Sequence, residues 1–419
     1  MDAPTLHASR KTKKTQFGEI PVDWGVSKLD HVAIVQTGLA KGKKGIKNPA
    51  VLPYLRVANV QDGYFDLAEI KTITVERSEI NRYSLRKNDV LLTEGGDLDK
   101  LGRGHLWEGQ IEPCLHQNHV FVVRTKPNVL LPRFFALLTA GPYGRRYFLS
   151  CAKQTTNLAS INSTQLKQFP VLIPPLREQQ QIAAVLGTWD RASTVLENLL
   201  AAKRQRKQAL MQQLLTGQKR FPKFKGKEWR TVHLGDVFTE RTEINRTDLP
   251  LVAITSDRGV IPRNELDRND TSSEDKSRYL RIAPGDIGYN TMRMWQGVSG
   301  VSEVEGIVSP AYTVCVPRDG IDRYYAGYLF KSRPVIYLFH SHSQGLVKDT
   351  LNLKFPNFAR IKVSLPPIEE QRRIASVFRA LDQEISLLVG EGAALRNQKK
   401  GLMQQLLTGK VRVKGVAHG

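Results

Sequence analysis

Residues 173–190 read IPPLREQQQIAAVLGTWD, and residues 365–382 read LPPIEEQRRIASVFRALD. The motif LMQQLLTG follows at residues 210–217 and again at 402–409, in the same register as the first pair. Close to half of the aligned positions are identical, far more than chance produces. The copies lie much further apart than the roughly 20–45 residues of a solenoid repeat. The sequence therefore contains one long unit that has been duplicated.

Each copy predicts one long helix. Proline pairs are tolerated only before a helix or in its first turn, and one opens each copy, at residues 174–175 and 366–367. Glu178 and the pair at residues 369–370 follow, where the helix macrodipole favours negative charge. Each copy ends on the glycine of its LMQQLLTG motif, which is a typical helix stop. At about 1.5 Å per residue, each helix is expected to be roughly 60 Å long.

Apolar residues in both copies follow the alternating three-four spacing of a coiled-coil seam. They are Ile182, Leu186, Trp189, Leu196, Leu200, Leu210 and Leu214 in the first helix and Ile374, Phe378, Leu381, Ile385, Leu388, Leu395, Leu402 and Leu406 in the second. Lys203 and Lys207 interrupt the first seam, and Gly392 and Lys399 interrupt the second. Polar seam residues lower stability but specify register and partner. The alternative, a core helix inside an ordinary domain, is disfavoured by the length.

The rest of the chain predicts two globular domains of mixed helix and strand. Strand-like stretches include residues 32–35, 90–92, 120–123, 251–255 and 311–316, and helical pieces include residues 133–139 and 324–331. The two domains share weak sequence similarity. Two apolar residues follow Trp24, and two apolar residues follow Trp229 at the same spacing. The domains thus share a scaffold while most of their surface positions differ. This is expected if the helices bind a common partner and the two domains recognise different ligands.

Composition points to a polyanionic partner. The 419 residues carry 62 Lys and Arg against 40 Asp and Glu, a formal net charge of +22. Nucleic acid is the usual partner of such a charge, although a basic protein without one remains an alternative. Three cysteines are too few for a disulfide framework, which favours a reducing compartment. The sequence has no membrane-spanning run and no signal peptide, so we expect a cytoplasmic protein with a basic, flexible N-terminal arm.

The order domain–helix–domain–helix, with IPPLREQQQIA, LPPIEEQRRIA and the doubled LMQQLLTG, resembles the specificity subunit of type I restriction–modification systems. The resemblance covers nearly the whole chain. It departs from the family pattern at Lys223, where glycine is common, and at Asn88, whose counterpart is the usual Gly285. Both departures fall in predicted turns.

The resemblance implies an α/β (α+β) fold with two similar globular target-recognition domains separated by two long helices. These helices would form an antiparallel coiled coil with a pseudo-twofold axis, which suits a split but asymmetric DNA target. The expected divisions are an arm (1–19), domain 1 (20–172), helix 1 as spacer (173–217), a basic linker (218–227), domain 2 (228–364), helix 2 (365–409) and a C-terminal tail (410–419).

The resemblance also implies partners and cofactors. Two modification subunits, which methylate adenine, and restriction or translocase subunits would join the chain on double-stranded DNA. S-adenosylmethionine, ATP and magnesium would bind those partners, and no cofactor would bind this chain. The chain would be non-catalytic by itself. Alternatives are a tandem-domain enzyme, a basic coiled-coil scaffold, and a tandem-domain DNA-binding protein without restriction partners.

Candidate DNA contacts are basic residues in Gly-rich or turn segments, where backbone and charge can approach phosphates. In the first domain they are Lys41, Lys43, Lys44 and Lys47 of GLAKGKKGIK, and Arg103. In the second they are Arg258, Arg263, Arg293 and Lys348. Arginine can contact guanine through two hydrogen bonds, whereas lysine mainly contacts phosphate. For the lysine-rich loop, a solvated surface loop is an equally good interpretation.

Catalytic motifs are absent from the sequence. It contains no GxxxxGK[ST] phosphate loop, no dinucleotide-type glycine loop, no Asn/Asp-Pro-Pro-aromatic motif, and neither HExxH nor GxSxG. Cys114, His116 and His119 lie close together, but a zinc site needs a fourth ligand. We therefore predict no catalytic and no metal site.

Overall fold

The computed structural model describes residues 5–8, 11–15, 18–42, 45–96, 101–154, 159–256, 258–266, 275–345, 347 and 350–414. The chain divides into two compact units. Unit 1 comprises Met1–Leu196 together with Glu391–Gly419, and unit 2 comprises Glu197–Gly390. Each unit contains one globular part and one half of each long helix, because both division points fall inside a long helix.

The helices and strands follow one another in two similar series. Before the first long helix lie β1 (Thr5–Ala8), β2 (Thr12–Thr15), β3 (Gly18–Pro21), β4 (Gly25–Lys28), α1 (Leu29–Val32), β5 (Ala33–Gln36), β6 (Pro49–Leu55), β7 (Lys71–Glu76), α2 (Ile80–Tyr83), β8 (Val90–Thr93), β9 (Gly95–Gly96), β10 (Gly104–Leu106), β11 (Leu115–His116), β12 (Val120–Thr125), α3 (Pro132–Ala140), α4 (Pro142–Cys151), β13 (Lys153–Gln154), β14 (Ala159–Ser160), α5 (Ser163–Lys167) and β15 (Pro170–Ile173). The first long helix, α6, spans Leu176–Leu214.

Between the long helices lie β16 (Arg230–His233), α7 (Leu234–Val237), β17 (Phe238–Glu240), β18 (Val252–Thr255), β19 (Gly259–Pro262), β20 (Leu280–Ile282), β21 (Ile287–Asn290), β22 (Ser299–Val301), β23 (Gly306–Val308), β24 (Tyr312–Pro317), α8 (Arg323–Leu329), α9 (Arg333–His342), α10 (Phe355–Ala359) and β25 (Lys362–Leu365). The second long helix, α11, spans Ile368–Leu406, and β26 (Val411–Lys414) follows it. Both long helices contain 39 residues. No helix in the described part of the chain is long and apolar enough to cross a membrane.

The central sheet has the same strand order in both units. It runs β10-β8-β12-β5 in unit 1 and β22-β21-β24-β17 in unit 2, and all neighbours are antiparallel. Val122 lies opposite Leu91 and Gln36, and Gly288 lies opposite Val314 and Gly300. A two-stranded ribbon leads into each long helix, β4–β15 in unit 1 and β16–β25 in unit 2. The shared scaffold of mixed helix and strand is therefore confirmed.

Apart from these ribbons, the strands outside the central sheet differ between the units. Unit 1 adds the β11-β6-β7 sheet and the β13-β14-β9 sheet, whereas unit 2 adds the β18–β19 and β20–β23 ribbons. The β11-β6-β7 sheet of unit 1 covers a smaller core around Leu55 and Trp107, and the two ribbons of unit 2 cover one around Ile254 and Val308. The duplicated scaffold thus carries different surfaces.

The core of each unit includes turns from both long helices. In unit 1, Ile182 of α6 and Leu406 of α11 belong to the same buried cluster as Trp24. In unit 2, Leu214 of α6 and Phe378 of α11 pack in one cluster. Each fully buried side chain of this size contributes about 1.5–3 kcal/mol relative to exposure. The helix ends are therefore held by the globular parts rather than by helix propensity alone.

A buried glutamate in the first turn of each long helix meets an arginine that follows the other long helix. Glu178 is 6% exposed and Glu370 is 1% exposed. The Arg412 Nη2 donates to Glu178 Oε2 at 2.6 Å, and the Arg220 Nε donates to Glu370 Oε1 at 3.0 Å. Trp24 Nε1 also donates to Glu178 at 3.0 Å. This pairing explains why a Glu and an Arg recur at equivalent places in the two copies.

The adjacent glutamine has an equally specific role. Gln179 accepts the backbone N–H of Leu131 at 2.8 Å and donates to the carbonyl of Pro174 at 2.9 Å. In unit 2, Gln371 accepts from Asp322 at 2.9 Å and donates to Pro366 at 2.9 Å. Both side chains are fully buried, so an unpaired amide here would carry the whole desolvation cost. The Glu-Gln pair in each copy is thus required by packing.

Described residues of the N-terminal segment form strands, which the sequence did not predict. Thr5–Ala8 forms β1, which pairs antiparallel with β26 at the other end of the chain, and Thr12–Thr15 pairs with β3. The partner of β1 lies some four hundred positions away, so no local sequence signal could reveal it. A second difference is small: Val32, assigned to a strand from sequence, ends the short helix α1.

We expect Arg220→Ala to lower the free energy of unfolding by about 3 kcal/mol, because Glu370 would stay buried without its cation. Lys223→Ala is the matched control. Lys223 pairs with the neighbouring Glu369 at 3.2 Å, but both side chains are more than half exposed, so a loss below about 0.5 kcal/mol is expected. Chemical denaturation of the full chain measures both. Equal losses in the two variants would contradict this assignment.

Candidate nucleic-acid interface

The two long helices are antiparallel in each unit. In unit 2, Lys203 pairs with Glu384 and Lys207 pairs with Asp382, so rising numbers on α6 meet falling numbers on α11. In unit 1, Lys399 pairs with Asp190. The same opposed direction holds further along, because a Cβ added at Gly392 would lie 3.3 Å from Leu196. The predicted antiparallel coiled coil is confirmed.

The burial of the seam residues differs between the ends and the middle of the long helices. Those near the globular parts are buried: Ile182, Leu186, Leu214, Ile374, Phe378, Leu381 and Leu406. Those along the middle of the helices are half-buried: Trp189, Leu196, Leu200, Leu210, Ile385, Leu388, Leu395 and Leu402. The three polar seam lysines are half-buried as well and each meets a carboxylate of the other helix. Three of the four interruptions seen in the sequence are therefore ion pairs across the seam, and the fourth is Gly392.

Two of these ion pairs are copies of one another. Asp190 and Asp382 occupy equivalent positions in the repeat, and so do Lys207 and Lys399. In unit 2 the pair is reinforced, because the Tyr328 hydroxyl donates to Asp382 at 2.7 Å. Burial, followed by that carboxylate, raises the pKa of Tyr328. The Lys203–Glu384 pair has no such copy, since the equivalent of Lys203 is a leucine.

The first-domain candidates lie in different surroundings. Lys41 is exposed, with its Nζ 6.0 Å from the centre of the Tyr54 ring. Lys47 is exposed and its backbone N–H is anchored by Glu76 at 2.9 Å. Arg103 is half-buried, and its Nη2 donates to the Val57 carbonyl at 3.2 Å. Lys43 and Lys44 lie outside the described residues. Arg103 thus has a structural contact, whereas Lys41 and Lys47 present their charge to solvent.

Three of the second-domain candidates lie around the same cavity. Arg258, Arg263 and Arg293 line one cavity of about 800 Å³ in unit 2. Lys348 lies outside the described residues. Sequence reasoning missed the other polar side chains of this cavity, which are Thr255, Ser256, Asn290, Gln296 and Tyr312. Asn290 and Gln296 could have been suspected, since Asn290 ends a buried strand and Gln296 lies in the turn that follows it. The structure therefore assembles a concave surface rich in hydrogen-bond donors.

Other arginines are engaged inside the units. Arg124 Nε donates to Asp89 at 2.8 Å in unit 1, and Arg241 Nε donates to Asp286 at 2.7 Å in unit 2. Both aspartates are almost fully buried. These hydrogen bonds hold the guanidinium groups against the central sheet, where each is neutralised by its aspartate.

The Cys114, His116 and His119 group is not arranged as a metal site. Burial raises the pKa of the Cys114 thiol to about 12 and lowers the pKa of His116 to about 4. His119 instead contacts Glu94 on the surface. Among the described residues, no group of three or more His, Cys, Asp or Glu side chains could hold a metal ion.

Comparison with known proteins places this geometry in a family. The family model for the type I restriction modification DNA specificity domain matches residues 21–203 and 226–396. The putative type I restriction enzyme MjaX specificity subunit of Methanocaldococcus jannaschii is 27% identical, over 96% of this chain and 97% of that protein. The type I restriction enzyme EcoKI specificity subunit of Escherichia coli is 29% identical, over 31% of this chain and 28% of its own length.

Solved structures have the same fold. A chain from a structure on the assembly and conformational transition of a type I restriction–modification system aligns with a TM-score of 0.61 at 17% identity, over 93% of this chain and 99% of that one. The S subunit of such a system from M. genitalium aligns with a TM-score of 0.53 at 14% identity, over 91% and 96%. At these identities the likeness establishes the fold alone.

The buried imidazole of His116 predicts a pH dependence of stability. Its pKa of about 4 in the folded chain lies below the unfolded value of about 6.5, so below pH 6.5 the unfolded chain takes up a proton that the folded chain does not. We expect the free energy of unfolding to be about 2 kcal/mol lower at pH 5 than at pH 7.5 from this group alone. In denaturation at both pH values, His116→Gln should show a smaller difference; an unchanged difference would contradict the assignment.

Proposed function

Because the chain belongs to the family of type I restriction–modification DNA specificity domains, we propose that it recognises a split, asymmetric DNA target as the specificity subunit of a restriction–modification complex. The family is a DNA-recognition component without catalysis of its own. Each unit would bind one half of the target. The observation that carries this proposal is the repeated central sheet, identical in strand order, that bears different outer strands and turns in the two units.

Charge supports a DNA ligand. The formal net charge of +22 favours association with the phosphate backbone through counterion release. The exposed lysines of unit 1 can contact DNA phosphates. The cavity of unit 2 contains arginine and amide side chains, which can contact the edges of bases. The two units thus offer unlike chemistry, as a non-palindromic target requires.

The long helices would act as a spacer between the half-sites. Each is continuous from a core position in one unit to a core position in the other, with 39 residues. Ion pairs across the seam specify one register of the helix pair, because a slip would leave half-buried lysines and carboxylates unpaired. A defined register would translate into a defined gap between the half-sites.

The repeat also supports two identical partners. Several solvent-exposed positions carry the same residue in both long helices, although their exposure means that packing within the chain does not require it. They are Ala201, Ala202, Arg204, Gln212 and Gln213 in α6 and Ala393, Ala394, Arg396, Gln404 and Gln405 in α11. Val195 and Leu387 are equivalent apolar residues that are 66% and 69% exposed. Exposed apolar side chains at repeated positions suit a protein interface.

We assign these repeated surfaces to two modification subunits, one for each copy, with restriction or translocase subunits joining that assembly. S-adenosylmethionine, ATP and magnesium would be bound by those partners. This chain would contribute target recognition and the positions at which the partners assemble.

DNA selection tests the recognition function. The full chain is incubated with double-stranded DNA of random sequence, and the bound DNA is sequenced. We expect two unlike half-sites separated by a constant gap, and an affinity that falls steeply with salt. Inserting four residues at Gln205, as a helical stutter, should change the gap or abolish selection. Selection of a single uninterrupted site, or of no sequence at all, would overturn the proposal.

Partner stoichiometry tests the repeated surfaces. We expect the wild-type chain to bind two modification subunits, the single variants Val195→Asp and Leu387→Asp to bind one, and the double variant to bind none, because each substitution puts a charge into one apolar contact. Analytical ultracentrifugation measures the mass of each assembly. Gln398→Asp, an exposed position of α11 that is not repeated, is the control and should bind two. A double variant that still binds two copies would overturn this interface.

A further inference from the structure

We propose that the turn at residues 291–298, between β21 and β22, is the base-contacting element of unit 2, with Arg293 and Gln296 meeting base edges in one half-site. The inference rests on the proposed function and names the element that carries its specificity. The turn is TMRMWQGV, and it forms one wall of the arginine-lined cavity.

Backbone hydrogen bonds anchor the start of the turn to other segments of unit 2. Thr291 N–H donates to the Ala311 carbonyl at 3.1 Å, and the Thr291 carbonyl accepts from Leu353 N–H at 2.9 Å. The Asn290 side chain accepts the Met292 N–H at 3.0 Å. Gly297 N–H donates back to Met294 at 2.8 Å. These bonds link the turn to β24 and to the segment before α10, so its backbone is preorganised.

Side chains of the turn alternate between core and solvent. Met294 is fully buried in the main core of unit 2. Trp295 donates its Nε1 to the Met292 carbonyl at 3.0 Å and lies 6.1 Å from the His340 ring. Met292, Arg293 and Gln296 are exposed. The turn therefore holds a guanidinium and an amide outward on a fixed support, the arrangement that base contact requires.

Gly297 explains how the turn closes so tightly. Its φ of +78° is the left-handed region that side chains rarely adopt. An added Cβ would also lie 3.0 Å from Ile336. Glycine thus lets the chain turn back into β22 directly against α9, which keeps Arg293 beside the cavity.

The chemistry of the cavity suits the acceptor edge of a base. Arginine offers donors only, and the described residues that line the cavity include no carboxylate. Within the described part of the chain, the Arg293 guanidinium has no hydrogen-bond or ion-pair partner. Arginine pairs with the O6 and N7 of guanine, and glutamine with the N6 and N7 of adenine. Arg293 is therefore assigned to a guanine and Gln296 to a neighbouring base.

Unit 1 has a different element in the same place. Its β8 and β10 are joined by residues 94–103, in which Gly95–Gly96 forms β9 and pairs with β14. Residues 97–100 of that connection lie outside the described residues. Part of the connection in unit 1 thus forms a strand of a sheet, while that in unit 2 is a turn without a strand and carries Arg293. The proposed specificity belongs to one half-site only.

Selection of random-sequence double-stranded DNA by the full chain tests the assignment. We expect Arg293→Ala to weaken the preference for a guanine in one half-site by about 5- to 150-fold and to leave the other half-site unchanged. Arg293→Lys keeps the positive charge but cannot form the two parallel hydrogen bonds to guanine. It should therefore lose the preference for guanine with little change in total affinity for DNA. Arg230→Ala removes an exposed arginine of β16 and should keep the wild-type motif. Thermal melting confirms that each variant is folded.

Three outcomes would overturn the inference. An unchanged motif in Arg293→Ala excludes base contact. A uniform loss of affinity that Arg293→Lys restores indicates a phosphate contact instead. A wild-type chain that selects no split motif overturns the proposed function and this inference together, whereas a split motif that survives Arg293→Ala overturns the inference alone.

Discussion

A buried glutamate paired with an arginine secures each end of the long helices. Glu178 with Arg412 and Glu370 with Arg220 bring the first turn of one long helix against the segment that follows the other. A buried carboxylate is costly unless it is paired and hydrogen-bonded, so the arrangement tolerates little displacement. In unit 1 the arginine lies within β26, which pairs with β1 and places Val413 in the buried core of that unit. The hydrogen bond to Glu178 raises the pKa of Arg412, and the hydrogen bond from Arg412 lowers the pKa of Asp23.

The middle of the helix pair is held differently from its ends. Near the globular parts the seam is buried and apolar, whereas in the middle it is half-buried and includes ion pairs. Such pairs add little net stability, but a helix that slipped by one turn would separate lysines from their carboxylates. Stability therefore resides at the ends and register in the middle. A spacer between two reading units needs both.

The central sheets illustrate how one scaffold supports two surfaces. Asp89 and Asp286 occupy the same place before equivalent strands, and each is paired with an arginine. The arginine comes from β12 in unit 1 but follows β17 in unit 2. Both units therefore contain the Asp–Arg ion pair, but the arginine comes from a different segment in each. Packing of the sheet requires a positive charge beside this aspartate and does not require it to come from one particular position. The outer turns face no such constraint, which leaves them able to diverge toward different DNA sequences.

The sequence alone determined the duplication, the two long helices and their seam, because a helical period repeated over many turns is a local property of the chain. It also indicated the shared scaffold and the basic character. Only the tertiary structure decided where the ends of the chain pair, since β1 and β26 are distant in sequence and neither strand is distinctive alone. The same holds for the cavity of Arg258, Arg263 and Arg293, whose members come from segments that the fold brings together. Contacts between remote segments depend on packing geometry, which no single stretch of the sequence determines.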